Sequence, residues 1–425
     1  MKLGDTVPLK ALYTLEPKVW WQYFKSESFS FKMICLYLFV EYVRPQLILP
    51  WLDILPWAKL FVLGALVGLL VEKNEKWVYS PINKWMVLFF ISILWSSLTA
   101  YKPEVSYEKI VLYFNWFITY FLITNIVRSP QRFLFFLAII CLASFKISLS
   151  LTNTWAKRGF AFTDWGLKGP PGFFENSGEL AIQMAVFWPI GLAVALALRP
   201  YVPAWKYWIL MLMPTTACIV ILGASSRGGQ LAMAIQFVIR FFKKIFNFKA
   251  LFAIIFVVTM GWYFLPEEQK QRFNEAGDDK TSQQRLNYWE AGYEMMNDYP
   301  LTGVGYFNFP EYFSDNYSHM LLVTFVELPH NIFIQVGADL GYPGLIIYLM
   351  AIYSSISMLY KSRKQNISKV IAVFPCALFL SFLGFLIAGQ FVSVVYYPFM
   401  WIHFALCSSL YHIANQKVTN QRKAN

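Results

Sequence analysis

Charged residues are scarce in this chain of 425 residues. Only 14% are Asp, Glu, Lys or Arg, whereas 57% are apolar and 19% are aromatic. A soluble domain carries about a quarter charged residues, so the charge here is too low to cover the surface of a water-soluble protein. The composition excludes a cytosolic enzyme and a disordered chain. It also excludes a nucleic-acid binder despite the net charge of +12, because a basic excess in a membrane protein marks its cytoplasmic loops.

Cysteines are few as well. The five cysteines are scattered singly through apolar runs, and none pairs with another at short spacing. This pattern predicts neither a zinc site nor a disulfide framework, and it favours small apolar side chains packed inside membrane helices. No cleavable signal peptide is expected, because residues 1–32 are mixed in character and the first apolar run would serve as an uncleaved anchor.

Apolar segments dominate the rest of the chain and predict an all-α integral membrane protein with about twelve transmembrane helices. A break is expected in the tenth segment, which contains Gly341, Pro343 and Gly344. The second, third and eighth segments are short for a full span. The segments lie near residues 33–50, 57–71, 84–99, 110–127, 133–151, 180–198, 205–222, 229–242, 249–265, 331–359, 370–391 and 396–413.

The distribution of Lys and Arg predicts the orientation. With the N-terminus in the cytoplasm, the inside segments hold 23 of the 36 basic residues, and every short inside loop is basic. The loop at 266–330 then faces outward, and it carries eleven acidic residues against four basic ones. The predicted regions are a cytoplasmic or interfacial N-terminus, nine spans, the large outer loop, three more spans and a cytoplasmic tail. Their bounds are 1–32, 33–265, 266–330, 331–413 and 414–425.

Three outward-facing places concentrate polar residues that are able to do chemistry. They are 157–181, 223–231, and the long loop with its exit into the tenth apolar segment, at 283–309 and 327–345. In the first, a Gly-Pro-Pro-Gly turn precedes Asn176 and Glu179, which stand where the sixth apolar segment begins. These two residues are candidates either for a helix cap with a linker or for a functional role.

Arg227 lies in the second segment, between Ser225, Ser226, Gly228 and Gly229. An arginine at a membrane boundary often only anchors its helix at the interface, but the positive-inside bias disfavours an arginine on the outer side. The small neighbours would leave room for a ligand, and a guanidinium beside such a turn suits a phosphate group. Both interpretations, anchor and phosphate ligand, stay open at this point.

His330 ends the long polar loop and directly precedes the tenth apolar segment. A lone histidine is usually a structural residue. Its position on the outer face, at a helix start and beside the long outer loop, favours a functional role.

The residues that follow His330 resemble a known family. His330 and Asn331, then nine residues, Gly341, two residues and Gly344 are similar to the long-loop signature of the O-antigen ligase superfamily. The architecture of twelve spans, with a large loop between the ninth and the tenth, resembles that family too. This resemblance implies a GT-C-like membrane glycosyltransferase.

Other elements carry the same resemblance. Arg227, with a leucine four residues later, resembles the family's Arg-three-residues-Leu element. Arg285 occupies the place of the family's loop arginine, upstream of the turn at 300–305. Asn176 resembles the polar motif that opens the sixth span, although Gly178 stands where a second Asn is usual.

The resemblance implies transfer of a glycan from undecaprenyl diphosphate to an acceptor on the periplasmic side of a bacterial inner membrane. In O-antigen ligases this acceptor is the lipid A–core oligosaccharide. The family is understood to work without a metal, and we expect no other cofactor. The expected partners are therefore the lipid-linked donor, the lipid A–core acceptor and membrane lipids, with no nucleic acid. Asn176 and Asn331 are further candidates for contacts with the substrate.

The residue types agree with this chemistry on physical grounds. Breaking a glycosyl–diphosphate bond builds negative charge, which either a metal held by carboxylates or preorganised arginines can neutralise. The sequence contains no DxD or HExxH motif, and we expect Asp278 and Asp279 to be solvated loop charges. Arg227 and Arg285 can bind the diphosphate in a bidentate manner, and His330 is the candidate general base for the acceptor hydroxyl.

Other functions remain as alternatives. An O-antigen polymerase or a protein O-oligosaccharyltransferase of the same superfamily would use the same donor chemistry. A lipid-linked sugar flippase or exporter would need charged residues along a cavity in the spans. Only Arg44, Lys59 and Lys146, with the acids Glu41 and Asp339, lie well inside apolar runs. We expect these charges to snorkel or to form an internal Glu–Arg pair rather than to line a transport path.

Overall fold

The computed structural model describes residues 7–72, 77–163, 166–174, 176–245, 279–365 and 367–424, with a few isolated positions between 246 and 278. Within these residues the regular elements are all helical. Numbered in chain order, the α-helices are α1 (Leu9–Leu12), α2 (Pro17–Ser26), α3 (Phe29–Val43), α4 (Pro45–Ile48), α5 (Trp57–Val71), α6 (Asn83–Leu98), α7 (Pro103–Ile126), α8 (Pro130–Lys157), α9 (Ser177–Leu198), α10 (Ala204–Gly223), α11 (Arg227–Ile245), α12 (Lys280–Asp298), α13 (Phe309–Asn316), α14 (Ile332–Arg363), α15 (Phe374–Ala388) and α16 (Pro398–Ala424).

Six of the described helices are long and apolar enough to cross a membrane. They are α7, α8, α9 with its following turn, α10, α14, and α15 with its preceding turn. Helices α5 and α6 are apolar but shorter. The all-helical architecture agrees with an integral membrane protein, whereas the number of twelve spans stays a prediction. Eleven of the twelve apolar segments coincide with described helices, and the ninth, 249–265, lies outside the described residues.

Helix α14 is broken at Gly341, as its glycines and proline predict. Gly341 has φ 68° and ψ −175°, which is not helical, so backbone groups on either side lose their helical partners. The turn at 300–305 supplies replacements. The amide of Val304 donates to the carbonyl of Ala338 at 2.8 Å, and the amide of Tyr342 donates to the carbonyl of Pro300 at 2.9 Å. A broken helix is tolerated at membrane depth only where such partners are present, so the turn is an integral part of the bundle.

The predicted inner and outer loops separate to opposite ends of the bundle. At one end, the start of α8 meets the N-terminal region through an ion pair of 2.9 Å between Arg132 and Glu27. Helix α8 has 28 residues, which corresponds to about 42 Å. Near its other end, Trp155 packs against Gly223 at the end of α10, four residues before Arg227. The described parts of the loops predicted to face outward therefore gather at the far end of the bundle.

Candidate active site

Several helices begin around the loop at 389–397, which connects α15 to α16. Gly178 at the start of α9 lies so close to Val392 that an added Cβ would be 2.9 Å from its Cγ2 atom. Gly228 at the start of α11 lies against Phe391 in the same way, at 2.6 Å. A larger side chain at Gly178 would contact Val392, so the packing at this position favours glycine.

Helix α14 begins at the same loop, because the amide of Ile332 donates to the carbonyl of Gly389 at 2.9 Å. Helix α12 joins the group through a contact between its cap, Asp279, and Arg227 at the start of α11. Four helices thus begin in one region. Helix N-termini carry partial positive charge and readily bind phosphate and other anions, so this end of the bundle is suited to an anionic ligand.

Arg227 forms an ion pair with Asp279. Its Nη2 atom lies 3.0 Å from Oδ2 of Asp279 and also donates to Oγ of Ser282 at 3.2 Å. Asp279 in turn accepts from the amide of Ser282 and so caps α12. Burial acts to raise the pKa of Asp279, but the hydrogen bonds from Ser282 and Arg227 outweigh it and hold the pKa at about 2. Asp279 is therefore an ionised partner of the arginine.

The expectation that Asp279 is a solvated loop charge is wrong, because its carboxylate is engaged by Arg227 and by its own helix. Asp278 lies outside the described residues.

The small residues beside Arg227 do not leave the space that was expected for a ligand. An added Cβ at Gly228 would collide with Phe391, and one at Gly229 would lie 2.6 Å from the Cβ of Ala181. The small residues permit close helix packing, so a ligand must reach the guanidinium from another side.

Arg285 lies on α12, one and a half turns after the cap, and is half-buried. Its Nε atom is buried and has no hydrogen-bond partner among the described residues. Burial lowers the pKa of Arg285, the positive charge of Arg227 lowers it further, and Asp279 and Glu327 oppose the shift. Arg285 is therefore within electrostatic reach of both groups of the Arg227 ion pair. A buried donor without a partner costs about 1–3 kcal/mol, and a bound anion would relieve this cost.

His330 is held at the entrance to α14 in an unusual backbone conformation, with φ 53°. Its amide donates to Oγ of Ser393 in the 389–397 loop at 2.7 Å. Its Nε2 atom lies 2.9 Å from Oε2 of Glu327, and 19% of its side chain is exposed. The hydrogen bond with His330 lowers the pKa of Glu327; burial opposes this, and the charge of Arg285 adds to it. His330 and Arg285 therefore both favour the ionised form of the same carboxylate.

The two asparagines act as helix caps. The side-chain oxygen of Asn176 accepts from the backbone amide of Gly178 at 2.8 Å, and the backbone amide of Asn176 donates to the carboxylate of Glu179 at 3.1 Å. The Oδ1 atom of Asn331 accepts from the first backbone amides of α14, and its side-chain Nδ2 donates to the side-chain oxygen of Gln390 at 3.2 Å. The cap that the sequence offered for Asn176 is confirmed. Substrate binding by either asparagine stays a prediction, and these contacts do not favour it.

Three groups of this site could not be singled out from the sequence: Asp279 as the partner of Arg227, Glu327 as the partner of His330, and Ser393. Glu327 stands three residues before His330, and this spacing was the one available signal. Ser393 lies 63 residues after His330 and offered none. Among the described residues, no three His, Cys, Asp or Glu side chains come together in a way that could hold a metal ion.

A comparison with protein families matches part of the chain. Residues 209–349 match a family model described as O-antigen ligase. The matched stretch is about a third of the chain and runs from α10 to the first half of α14. It contains Arg227, Arg285 and His330. A comparison with curated proteins found no match. The match confirms the resemblance drawn from the sequence motifs, and it supports membership of the O-antigen ligase superfamily and, at that level, a glycan ligase or polymerase type of function.

Proposed function

We propose that the protein transfers an O-antigen glycan from undecaprenyl diphosphate to the lipid A–core oligosaccharide at the periplasmic face of a bacterial inner membrane. One observation carries the proposal: Arg227, Arg285 and His330 come from separate segments and meet in one cluster of charges where four helices begin. Two guanidinium groups beside an imidazole are what a diphosphate leaving group and an acceptor hydroxyl require.

Arg227 and Arg285 bind the diphosphate in this proposal. As the bond between the anomeric carbon and the diphosphate oxygen breaks, the leaving group takes the electron pair and its negative charge grows. Preorganised cations at that point stabilise the transition state more than the ground state. The unsatisfied Nε of Arg285 and the helix N-termini around the cluster support this role. The two arginines supply the positive charge, so the proposed reaction uses no metal and no cofactor.

His330 acts as the general base. It takes the proton of the acceptor hydroxyl while that oxygen forms the new bond to the anomeric carbon. The contact between His330 and Glu327 provides an anion that stabilises the imidazolium formed in this step. Its position next to the arginine cluster lets one bound donor meet both the diphosphate ligands and the base.

The donor and the acceptor are both lipids, so the membrane itself is a partner. Apolar side chains on α5 and α6 are exposed in the isolated chain, among them Leu63, Leu70, Ile91 and Trp95. Contact with lipid acyl chains would remove this surface from water. The cluster lies at the end of the bundle where the predicted outer loops gather, which supports a reaction at the periplasmic face.

Transport is a weaker proposal for this chain. Arg44 donates to the carbonyl of Pro171 at 2.8 Å, and Asp339 accepts from the hydroxyl of Tyr396 at 3.1 Å. Both contacts tie charged side chains to neighbouring segments and do not mark a polar path through the bundle. A polymerase or a protein O-oligosaccharyltransferase would use the same cluster, so those alternatives depend on the acceptor.

One experiment tests the reaction and the acceptor together. Purified protein is given undecaprenyl-diphosphate-linked glycan and one of three acceptors: lipid A–core, a pilin-like protein, or a second lipid-linked glycan. We expect transfer to lipid A–core. His330→Ala should abolish detectable transfer, since a general base contributes roughly 10²–10⁴-fold to the rate. Binding of the donor should survive, because the arginines hold the diphosphate.

His319→Ala is the matched control. His319 lies in the same outer loop and is exposed, so its replacement should leave substantial activity. Near wild-type transfer by His330→Ala would show that the base is elsewhere, with Glu290 or Asp298 as the next candidates. Transfer only to the protein, or only to the lipid-linked glycan, would replace the ligase assignment with the corresponding alternative.

A further inference from the structure

Glu327 makes a specific contact with the proposed base. Its Oε2 atom lies 2.9 Å from Nε2 of His330. Among the described residues this is the one hydrogen bond of the imidazole ring, and Nδ1 has no partner there. The hydrogen bond from His330 lowers the pKa of Glu327, and the charge of Arg285 adds to this effect against burial. Near neutral pH the group facing Nε2 is therefore a carboxylate.

An ionised carboxylate can only accept a hydrogen bond, so the ring nitrogen that faces it must carry the proton. The neutral imidazole then has its lone pair on Nδ1. We propose that Glu327 is a positioning residue for this reaction: it fixes the tautomer of His330 so that Nδ1 takes the proton of the acceptor hydroxyl. This inference rests on the proposed function and names the atom of His330 that does the chemistry.

The loop that carries both residues is fastened to α12. The hydroxyl of Tyr288 accepts from the amide of Glu327 at 3.0 Å, and the indole of Trp289 donates to the carbonyl of Pro329 at 2.9 Å. Both aromatic residues lie on the helix that also carries Arg285. Helix α12 therefore sets the distance between Arg285, which is proposed to bind the diphosphate, and His330, the proposed base. Such preorganisation is what positions reacting groups in a productive geometry.

Glu327 also has an electrostatic role during the proton transfer. When Nδ1 receives the proton, the ring becomes an imidazolium, and the adjacent carboxylate stabilises it. The other charged groups facing this pair are Arg285 and, farther along the cluster, Arg227 with Asp279. In the free protein, the carboxylate of Glu327 interacts electrostatically with Arg285 as well as with His330. A bound diphosphate would engage Arg285 and leave the carboxylate to His330.

The test measures the rate of glycan transfer against pH for the wild type, Glu327→Gln and Glu327→Asp. Removal of an orienting carboxylate lowers kcat by up to about 10⁴ in a catalytic triad. Because 45% of the Glu327 side chain is exposed, we expect a smaller loss in Glu327→Gln, on the order of 10². KM for the lipid-linked donor should change little. The acid limb of the profile should move to lower pH, because the imidazolium has lost its anion, and Glu327→Asp should recover part of both effects.

Glu294→Gln is the matched control, since Glu294 is an exposed carboxylate on α12 and its loss changes the net charge equally. This variant should keep the wild-type kcat and acid limb. A purely structural role for Glu327 would lower the protein level without moving the acid limb, and that result would overturn the inference. A normal kcat with an unmoved limb in Glu327→Gln would overturn it as well.

The wild type and His330→Ala are measured in the same assay. If the wild type transfers glycan and His330→Ala does not, the proposed function stands whatever Glu327→Gln does. If the wild type transfers glycan to none of the three acceptors, the proposed function fails, and the inference about Glu327 fails with it.

Discussion

The basic side chains of the candidate site each lie near a carboxylate. Arg227 pairs with Asp279 and His330 with Glu327, while Arg285 lies within the field of both acids. Without such counter-charges, the two guanidinium groups at the start of four helices would repel each other and the helix ends. A diphosphate carries more charge than one carboxylate, so it can compete with Asp279 for the guanidinium. The charges of the unliganded site are thus compensated, and under the proposed function the donor would displace a carboxylate from the guanidinium.

Replacing Arg227 or Arg285 by lysine tests whether the guanidinium geometry matters. Lysine keeps the charge but cannot form the bidentate contact with a phosphate. We expect Arg227→Lys and Arg285→Lys each to lower the rate of glycan transfer by roughly 10²–10³, by analogy with the loss of one oxyanion donor. Protein levels should stay close to the wild type. The measurement is the initial rate with purified protein and lipid-linked glycan.

Arg199→Lys serves as the control for this pair. Arg199 lies at the opposite end of the bundle, where its guanidinium stacks over the ring of Tyr207, and its replacement should leave the rate unchanged. If both site variants transferred glycan at near-normal rates, Arg227 and Arg285 would have no part in binding the diphosphate.

The basic residues of the candidate site could be proposed from the sequence, whereas their acidic partners could not. Arg227, Arg285 and His330 stand in motifs whose spacing can be read along the chain. The partners of these residues depend on where separate segments meet in space. Asp279 comes to Arg227 only because the starts of α11 and α12 are adjacent, and 52 residues separate the two in the chain. No periodicity or composition encodes such a contact.

Helix positions could be predicted because each apolar segment must become a helix to satisfy its backbone in a membrane. The break in α14 was predicted for a similar reason, since Gly341 and Pro343 disfavour a continuous helix. The structure shows how the backbone groups freed by the break find new hydrogen-bond partners. The turn at 300–305 supplies partners for the freed carbonyl and amide. The two hydrogen bonds of that repair join residues 34 and 42 positions apart in the chain, and the propensity of neither segment could reveal it.

Gly341→Ala tests the importance of this break. The backbone at Gly341, with φ 68° and ψ −175°, belongs to a region that is essentially restricted to glycine. An added Cβ would also lie 2.7 Å from the carbonyl oxygen of Pro300. The strain alone costs about 1–3 kcal/mol, and the collision adds to it. We expect a clear drop in thermal stability and in the amount of folded protein in the membrane.

Gly64→Ala is a suitable comparison, because its added methyl would meet only the flexible side chain of Met33 at 3.1 Å. That variant should fold almost normally. Equal stability of Gly341→Ala and the wild type would show that α14 can straighten without cost, and the docking of the 300–305 turn would then not matter for the fold.

At the scale of the whole molecule, the charge pattern and the structure divide the loops in the same way. Two described segments that contain predicted inside basic residues lie at one end of the bundle, where Arg132 pairs with Glu27 and Lys206 donates to the carbonyl of Thr14 at 2.9 Å. The acidic 266–330 loop, as far as it is described, lies at the other end with the candidate site. This separation agrees with the positive-inside rule, which assigns the basic end to the cytoplasm.

Site-directed labelling in intact cells tests this orientation. All five native cysteines are first replaced, and single cysteines are then introduced as Ser318→Cys in the outer loop or Lys361→Cys near the end of α14. Both positions are exposed. We expect a membrane-impermeant maleimide to reach Ser318→Cys from the periplasm, and Lys361→Cys only after the inner membrane is permeabilised. This expectation follows from the positive-inside rule, since the basic residues are concentrated in the short loops predicted to face the cytoplasm. If Lys361→Cys alone reacted in intact cells, the molecule would be inverted, and the cluster around His330 would face the cytoplasm, away from any periplasmic acceptor. Reaction of both positions from the same side would contradict the topology itself, because α14 would then not cross the membrane between the site and its basic end.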